Sequence, residues 1–305
     1  MVQRSNIIPT ILLTGFLGAG KTTLLNRLIE FYKSKETVLL INEFGKVGID
    51  GELLDEGNYQ KIELNRGSLF CICVRTDFIA EVEKIARQIK PELLIIEATG
   101  LADTSEMEKM LALPNVKDYI QLQACICLVD CQNFLKIKDI LRAPASQIRS
   151  ADLVLINKTD LVEKSEVNKV INAVKEISSS VSIYPTTYAE FPLGELKTIT
   201  HPLQIQTGLP GEGRPDPVFS LTLEGIGNFS SQSWEDFKLF VRNNVMRLKG
   251  FISLEGVEYY VDVTMHNWSM EPTNSVENLQ NKLVLIGQDL DQDEVERRFL
   301  AGIAG

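Results

Sequence analysis

The chain has 305 residues, 44% of them hydrophobic and 24% charged, with a formal net charge of −10. That length can bury one large core and one small one, and the composition is that of an ordinary globular protein. The acidic balance, with no Lys/Arg block, argues against nucleic acid or an anionic membrane as partner, and no apolar run approaches a membrane span. An apolar run from Ile7 to Leu13, broken only by Pro9 and Thr10, leads into Gly15-Phe16-Leu17-Gly18-Ala19-Gly20-Lys21-Thr22-Thr23. It does not read as a signal peptide, so a cytoplasmic protein is expected. Beyond it, Leu24, Leu25, Leu28 and Ile29 fall on one face of a predicted helix.

Gly15, Gly20, Lys21 and Thr22 match the pattern Gly, four residues, Gly-Lys-Ser/Thr, set between a strand and a helix, which is the phosphate-binding loop. Gly15, Gly18, Ala19 and Gly20 let successive backbone N–H groups turn onto phosphate oxygens. The helix N-terminus at Lys21, Thr22 and Thr23 adds positive potential there. Lys21 reaches the β- and γ-phosphates as a catalytic cation, and the Thr22 hydroxyl ligates Mg²⁺.

Thr37 to Ile41 is wholly apolar and suits a parallel strand covered on both faces. It enters a glycine-rich acidic loop containing Glu43 and Asp50, the segment best placed as a first switch. Either acid can assist Mg²⁺ or orient the attacking water; Asp50 is taken as the catalytic candidate. Lys61 to Leu64 is a short possible strand, followed by Cys71 and Cys73, and Phe78, Val82, Ile85 and Ile89 keep helical spacing up to Pro91. Leu93 to Ile96 reads as a buried strand ending at Glu97-Ala98-Thr99-Gly100. Glu97 there can hold Mg²⁺ through water, and the Gly100 amide can sense a terminal phosphate.

Ala124 to Val129 and Leu153 to Ile156 are two more buried strands, the second ending at Asn157-Lys158-Thr159-Asp160. The Asp160 carboxylate can accept from guanine N1–H and its exocyclic amine, a donor pair that adenine lacks. The Lys158 stem can lie along the purine, and Asn157 can hold the base loop. Strands alternating with helices predict an α/β fold, a doubly wound, mostly parallel sheet with its site at the strands' carboxyl ends. No arginine stands out as a finger, so hydrolysis is expected to be slow until a partner or GTP-dependent homodimerisation accelerates it.

The expected division is a nucleotide-binding domain over 1–205, a linker over 206–217 rich in Gly and Pro, and an α+β C-terminal domain over 218–305. In that last part Phe219, Leu221 and Leu223 alternate, as do Val257, Tyr259, Val261 and Val263. Trp234, Phe237, Val241, Val245 and Leu248 keep helical spacing. The five cysteines, at 71, 73, 125, 127 and 131, are an odd number without a secretion signal, so reduced thiols are expected. Cys125, Cys127 and Cys131 read as small buried hydrophobes, and His201 and His266 as structural or solvated.

Together these stretches resemble the CobW-type P-loop GTPases, relatives of the urease- and hydrogenase-maturation GTPases. The matching residues are Thr14 to Thr23, Asn42 to Gly45, Gly48 to Gly51, Glu97 to Asp103 and Asn157 to Asp160. Arg247-Leu248-Lys249-Gly250 and Leu283 to Gly287 resemble the family's C-terminal domain. The resemblance implies GTP and GDP as ligands, Mg²⁺, and GTP hydrolysis coupled to delivering a metal, Zn²⁺ or Co²⁺, or to servicing a metal cofactor on a client metalloprotein. The family's Gly-Cys-x-Cys-Cys run is only partly present. Registered on Arg75, this chain has Leu69, Cys71 and Ile72 where the three thiols would stand, and Cys73 is an addition. Lys46 replaces an acid. Cys71 and Cys73 therefore supply at most two ligands of the four that Zn²⁺ takes. The alternative is a GTPase chaperone or reactivase of a metalloenzyme, such as a corrinoid-dependent one, that carries no metal itself.

Overall fold

The computed structural model describes residues 7–42, 59–64, 72–201, 219–242, 245–264, 268–273, 281–287 and 291–303. These form two compact units, one within 7–201 and one within 219–303.

In the first unit, seven strands make one parallel sheet: β1 (Ile8–Gly15), β2 (Thr37–Asn42), β3 (Tyr59–Leu64), β4 (Leu93–Glu97), β5 (Ile120–Asp130), β6 (Leu153–Asn157) and β7 (Ser182–Pro185). Their order is β3-β2-β4-β1-β5-β6-β7, which puts the first strand at the centre. The helices between them are α1 (Lys21–Phe31), α2 (Ile72–Lys84), α3 (Thr104–Leu111), α4 (Pro114–Lys117), α5 (Phe134–Ile137), α6 (Ala143–Ser150) and α7 (Lys164–Ile177). This is the predicted doubly wound α/β sheet. The strands lack an in/out alternation because both faces are covered. Leu12, Leu40, Leu94 and Ile96 pack on Phe78, Val82, Met107 and Met110, while Ile11, Leu13, Leu39 and Ile95 pack on Leu24, Leu25 and Leu28. Register then aligns the strand ends. Leu13 lies beside Glu97, Gly15 beside Leu128, and Asp130 beside Asn157. Every motif at the end of β1, β4 or β6 therefore comes to one edge of the sheet.

The second unit is a five-stranded antiparallel sheet of β8 (Phe219–Gly225), β9 (Val245–Leu254), β10 (Val257–Thr264), β11 (Trp268–Pro272) and β12 (Asn281–Gly287), in the order β11-β10-β9-β12-β8. Helices α8 (Ser231–Val241) and α9 (Gln292–Ile303) pack on it around Phe229, whose ring meets Trp234 and Phe299 at centroid distances of 5.2 and 5.7 Å. One sequence expectation is corrected here. The helical spacing through Trp234, Phe237 and Val241 does not continue: the helix ends at Val241, and Val245 and Leu248 belong to β9. β9 is an inner strand, so its near-continuous burial hides the period of two that would have marked it. The predicted linker 206–217 and His266 lie outside the described residues. Among the described residues no helix is long and apolar enough to cross a membrane.

Candidate functional site

At the end of β1 the chain turns through residues 16–20 and enters α1 at Lys21. Gly20 precedes the helix with φ 106°, and a Cβ there would stand 2.4 Å from the Asn157 side-chain nitrogen, so only glycine fits. Gly18 also has positive φ, and Ala19 is fully buried. The first turn of α1 contains Lys21, Thr22 and Thr23, with no side-chain cap and no acid. Its leading N–H groups lack intrahelical partners and give the end positive potential, which suits an anion. Lys21 Nζ donates to the carbonyl oxygens of Gly15 at 2.9 Å and Phe16 at 3.3 Å, so its ammonium lies over the loop it follows. Glu97, buried at the end of β4, has its carboxyl pushed up by burial, while the Lys21 charge pulls it back down. Burial outweighs the Lys21 charge, so the net direction is upward.

The other end of the site begins where β6 stops. Asn157 is 2% exposed and bridges two loops: its Nδ2 donates to Ala19 O at 2.9 Å, and its Oδ1 accepts from Ala189 N at 2.9 Å. Lys158 takes the left-handed conformation, φ 62°, and its Nζ pairs with Asp130 Oδ2 at 2.7 Å. Asp130 is itself fixed by the Gln132 N–H and the Asn133 amide, each at 2.9 Å. Asp160 is exposed, in a short 3₁₀ turn over Thr159–Leu161, so its carboxylate faces water beside this pair of loops.

Sequence reasoning passed over the second loop, Thr186 to Glu190, which follows β7. Thr159 binds it through Oγ1 to Thr186 O at 2.9 Å, and Arg27 of α1 donates from Nε to Tyr188 O at 2.9 Å. Tyr188 and Ala189 both have positive φ, which turns the chain under Asn157. The available signal was position alone, just past a strand's carboxyl end, because β7 is four residues long and mostly exposed.

The structure thus brings Gly15, Gly18, Ala19, Gly20, Lys21, Thr22, Thr23, Glu97, Gly100, Asn157, Lys158 and Asp160 to one edge of the sheet. Asp50, Glu43, Lys46 and Cys71 lie outside the described residues; Cys73 falls in the first turn of α2, and its side chain is outside them too. Cys125, Cys127 and Cys131 are buried, with burial pushing Cys127 up to about 12 and Cys131 up to about 11. Such thiols stay protonated and inert at neutral pH. His201 is tied to Asp152, Nδ1 to Oδ2 at 2.9 Å, with little exposure. Among the described residues no group of three or more His, Cys, Asp or Glu is placed to hold a metal ion.

Comparison with known proteins agrees with this architecture. The zinc chaperone CobW of Pseudomonas aeruginosa is 24% identical over 363 residues, covering 97% of this chain and 92% of that protein. The zinc-regulated GTPase metalloprotein activator 1 of Dictyostelium discoideum is 27% identical over 227 residues, covering 62% of this chain; the match spans about half of that relative's length, 48%. In fold, the chain resembles the Zn(II)-bound YjiA GTPase of E. coli, with 21% identity, a TM-score of 0.50 and coverage of 98% and 99% of the two chains. The family described as CobW/HypB/UreG, nucleotide-binding domain, matches residues 9–185, and the CobW C-terminal domain matches residues 226–303. With a phosphate-type loop and a second loop pair meeting at the strand ends, and with both matches in place, the chain belongs to the CobW/HypB/UreG family of nucleotide-binding proteins.

Proposed function

We propose that this protein is a cytoplasmic GTPase whose nucleotide cycle serves metal handling, with Zn²⁺ as the metal and a metalloprotein as client. The observation that carries the nucleotide half is the Asn157 bridge, because one side chain joins the carbonyl of Ala19 in the phosphate loop to the loop around Ala189. The bridge sets the phosphate loop and the loop around Ala189 side by side, as a ligand with phosphates at one end and a flat base at the other would require. Asp160 then selects guanine, since a carboxylate accepts the N1–H and the exocyclic amine of guanine side by side, a donor pair that adenine lacks. Lys158 supports the purine, and the α1 N-terminus with Lys21 receives the phosphates.

Mg²⁺ fits the donor set. The Thr22 hydroxyl and the Glu97 carboxylate are hard oxygen ligands, and the buried Glu97 has a cationic neighbour whose place a dication can share. When bound, the ion neutralises charge on the phosphates during transfer. The protein's own part is to hold the triphosphate, exclude water behind Glu97 and keep Gly100 at the γ-phosphate. Asp50 or Glu43 orients the attacking water. The release of that contact after hydrolysis frees the loops, and GTP-dependent pairing of two copies is a means of accelerating the step.

Support for zinc comes from the relatives, two of which are a zinc chaperone and a zinc-regulated metalloprotein activator. Cys71 and Cys73 are the proposed ligands on this chain, completed by Glu43 or by the client. Leu69 and Ile72, standing where the family has thiols, favour a second reading in which the protein services a metalloenzyme without carrying metal. Calorimetry on Mg²⁺-supplemented protein tests the first half: GTP should bind at least about a hundredfold more tightly than ATP, and no heat with GTP overturns the reading. Zn²⁺ or Co²⁺ titration of the wild type and of Cys71→Ser/Cys73→Ser tests the second. Equal binding by the two would leave the chaperone without cargo as the surviving form.

A further inference from the structure

The loop after β4, Ala98 to Asp103, is held from behind by a residue outside every motif. Gln147 of α6 is 1% exposed, and its Nε2 donates to Gly100 O at 3.1 Å and to Ala102 O at 3.3 Å. A carboxamide nitrogen has two hydrogens, so it can serve both carbonyls at once. On the opposite side, Gly100 touches the phosphate loop. A Cβ built on it would meet Leu17 N at 2.7 Å and Leu17 Cδ2 at 2.4 Å. Gly100 is therefore enclosed between Leu17 and the Gln147 amide. The neighbouring residue makes a second tie: Ser146 donates to Asp103 Oδ1, the same oxygen that caps α3 by accepting from Ser105 N at 3.0 Å and Ser105 Oγ at 2.7 Å. Helix α6 thus grips the loop at its middle and at its far end, through Gln147 at Gly100 and Ala102 and through Ser146 at Asp103.

We propose that Gln147 is the positioning residue that keeps the Gly100 peptide in register with the terminal phosphate, and that α6 through it distinguishes a nucleoside triphosphate from a diphosphate. This rests on the GTP reading above and adds to it the element that reports the nucleotide state. A diphosphate has no oxygen at Gly100, so the order of this loop contributes to binding only when the third phosphate is present. Whatever stabilises the ordered loop therefore raises triphosphate affinity selectively, and the triphosphate in turn steadies the loop against α6.

The test compares the full-length wild type with Gln147→Met and Gln147→Glu, measuring affinity for a non-hydrolysable GTP analogue and for GDP, with thermal melts alongside. Met removes both donors at similar length; Glu places carboxylate oxygens against two carbonyls. Each should keep GDP affinity within about twofold and lose about tenfold toward the analogue, because the loop that these two hydrogen bonds order meets the ligand only through the third phosphate. Ser146→Ala, the milder change, should move the same ratio by about threefold and serves if the Gln147 variants melt too early. An unchanged triphosphate-to-diphosphate ratio, including equal losses of both ligands with a lowered melting temperature, overturns the role of Gln147 alone. A wild type that binds neither ligand overturns the GTP reading itself, and the proposal with it.

Discussion

At the proposed phosphate end the chain offers mainly backbone, the N–H groups of the first turn of α1 reached through a turn where Gly20 leaves no space for a Cβ, with the Lys21 ammonium over the loop. At the proposed base end, the groups on offer are side chains. Lys158 is steadied by Asp130 from the end of β5, and Asn157 by Ala189 from the loop after β7. A contiguous loop can be specified by which residues are absent from it. A site made of side chains needs partners from distant strands, and each partner's contribution is smaller and separable. Substitutions should therefore be catastrophic at one end and graded at the other.

The largest effect is expected at the phosphate end. Lys21→Ala removes the cation proposed to meet the phosphates and should lower GTP and GDP affinity, or turnover, by at least about a hundredfold, read by calorimetry and phosphate release. Gly20→Ala breaks both ends together, because its Cβ would strike the Asn157 amide that reaches across to Ala189. It should abolish binding of either nucleotide while leaving the second unit folded by near-ultraviolet circular dichroism of its Trp234 and Trp268. Retained binding in either variant would remove the phosphate loop from the site.

Next is the base end. Asp160→Asn exchanges an acceptor for a donor, so GTP should weaken by about a hundredfold and xanthosine triphosphate should gain, as measured by competition. An unchanged preference for guanine would refute the assignment. Asp130→Asn is gentler. It leaves an acceptor for Gln132 N but removes the charge facing Lys158, an ammonium with a side chain 25% exposed. A loss of about fivefold, equal for GTP and GDP, is expected from a partly screened pair. That equality separates it from the Gln147 variants, whose loss should fall on the triphosphate alone.

The same contrast explains what could be read from the sequence. The phosphate loop and the Asn157 to Asp160 run were legible because each is continuous and sits after an apolar run, and the five apolar runs of the first unit became strands of one parallel sheet. Asp130, Gln147 and the loop Thr186 to Glu190 were not legible. Each acts through a contact made only when distant segments meet, and an isolated Gln in a short helix carries no period or motif. In the second unit, Val241, Val245 and Leu248 happen to be spaced four and three apart, so a helix end and a buried strand imitated one helix. The fold class survived that misreading because the alternation of β8 and β10 was clear on either side.

A control should touch neither end, and His201 provides one. It stands by Asp152, just before β6, at the opposite end of that strand from Asn157. Asp152 Oδ2 also accepts the Cys125 N–H at 2.7 Å, so the carboxylate is fixed before the imidazole arrives. Burial alone would lower the His201 value; the hydrogen bond and charge of Asp152, with the charge of Glu108, outweigh it and leave the imidazole above its ordinary 6.5. The folded protein therefore keeps this proton to higher pH than the unfolded chain does. Its contribution to stability is whole below pH 6.5 and disappears as pH rises through the raised folded value. Melting His201→Ala and the wild type at a series of pH values from about 6 to about 9 should show the gap between them narrowing steadily, with GTP and GDP affinities alike in the two proteins. A gap that is constant or widens with pH would mean that His201 is held neutral, and a loss of nucleotide affinity would mean that the edge of the sheet bearing Asn157 is not insulated from the edge bearing Asp152.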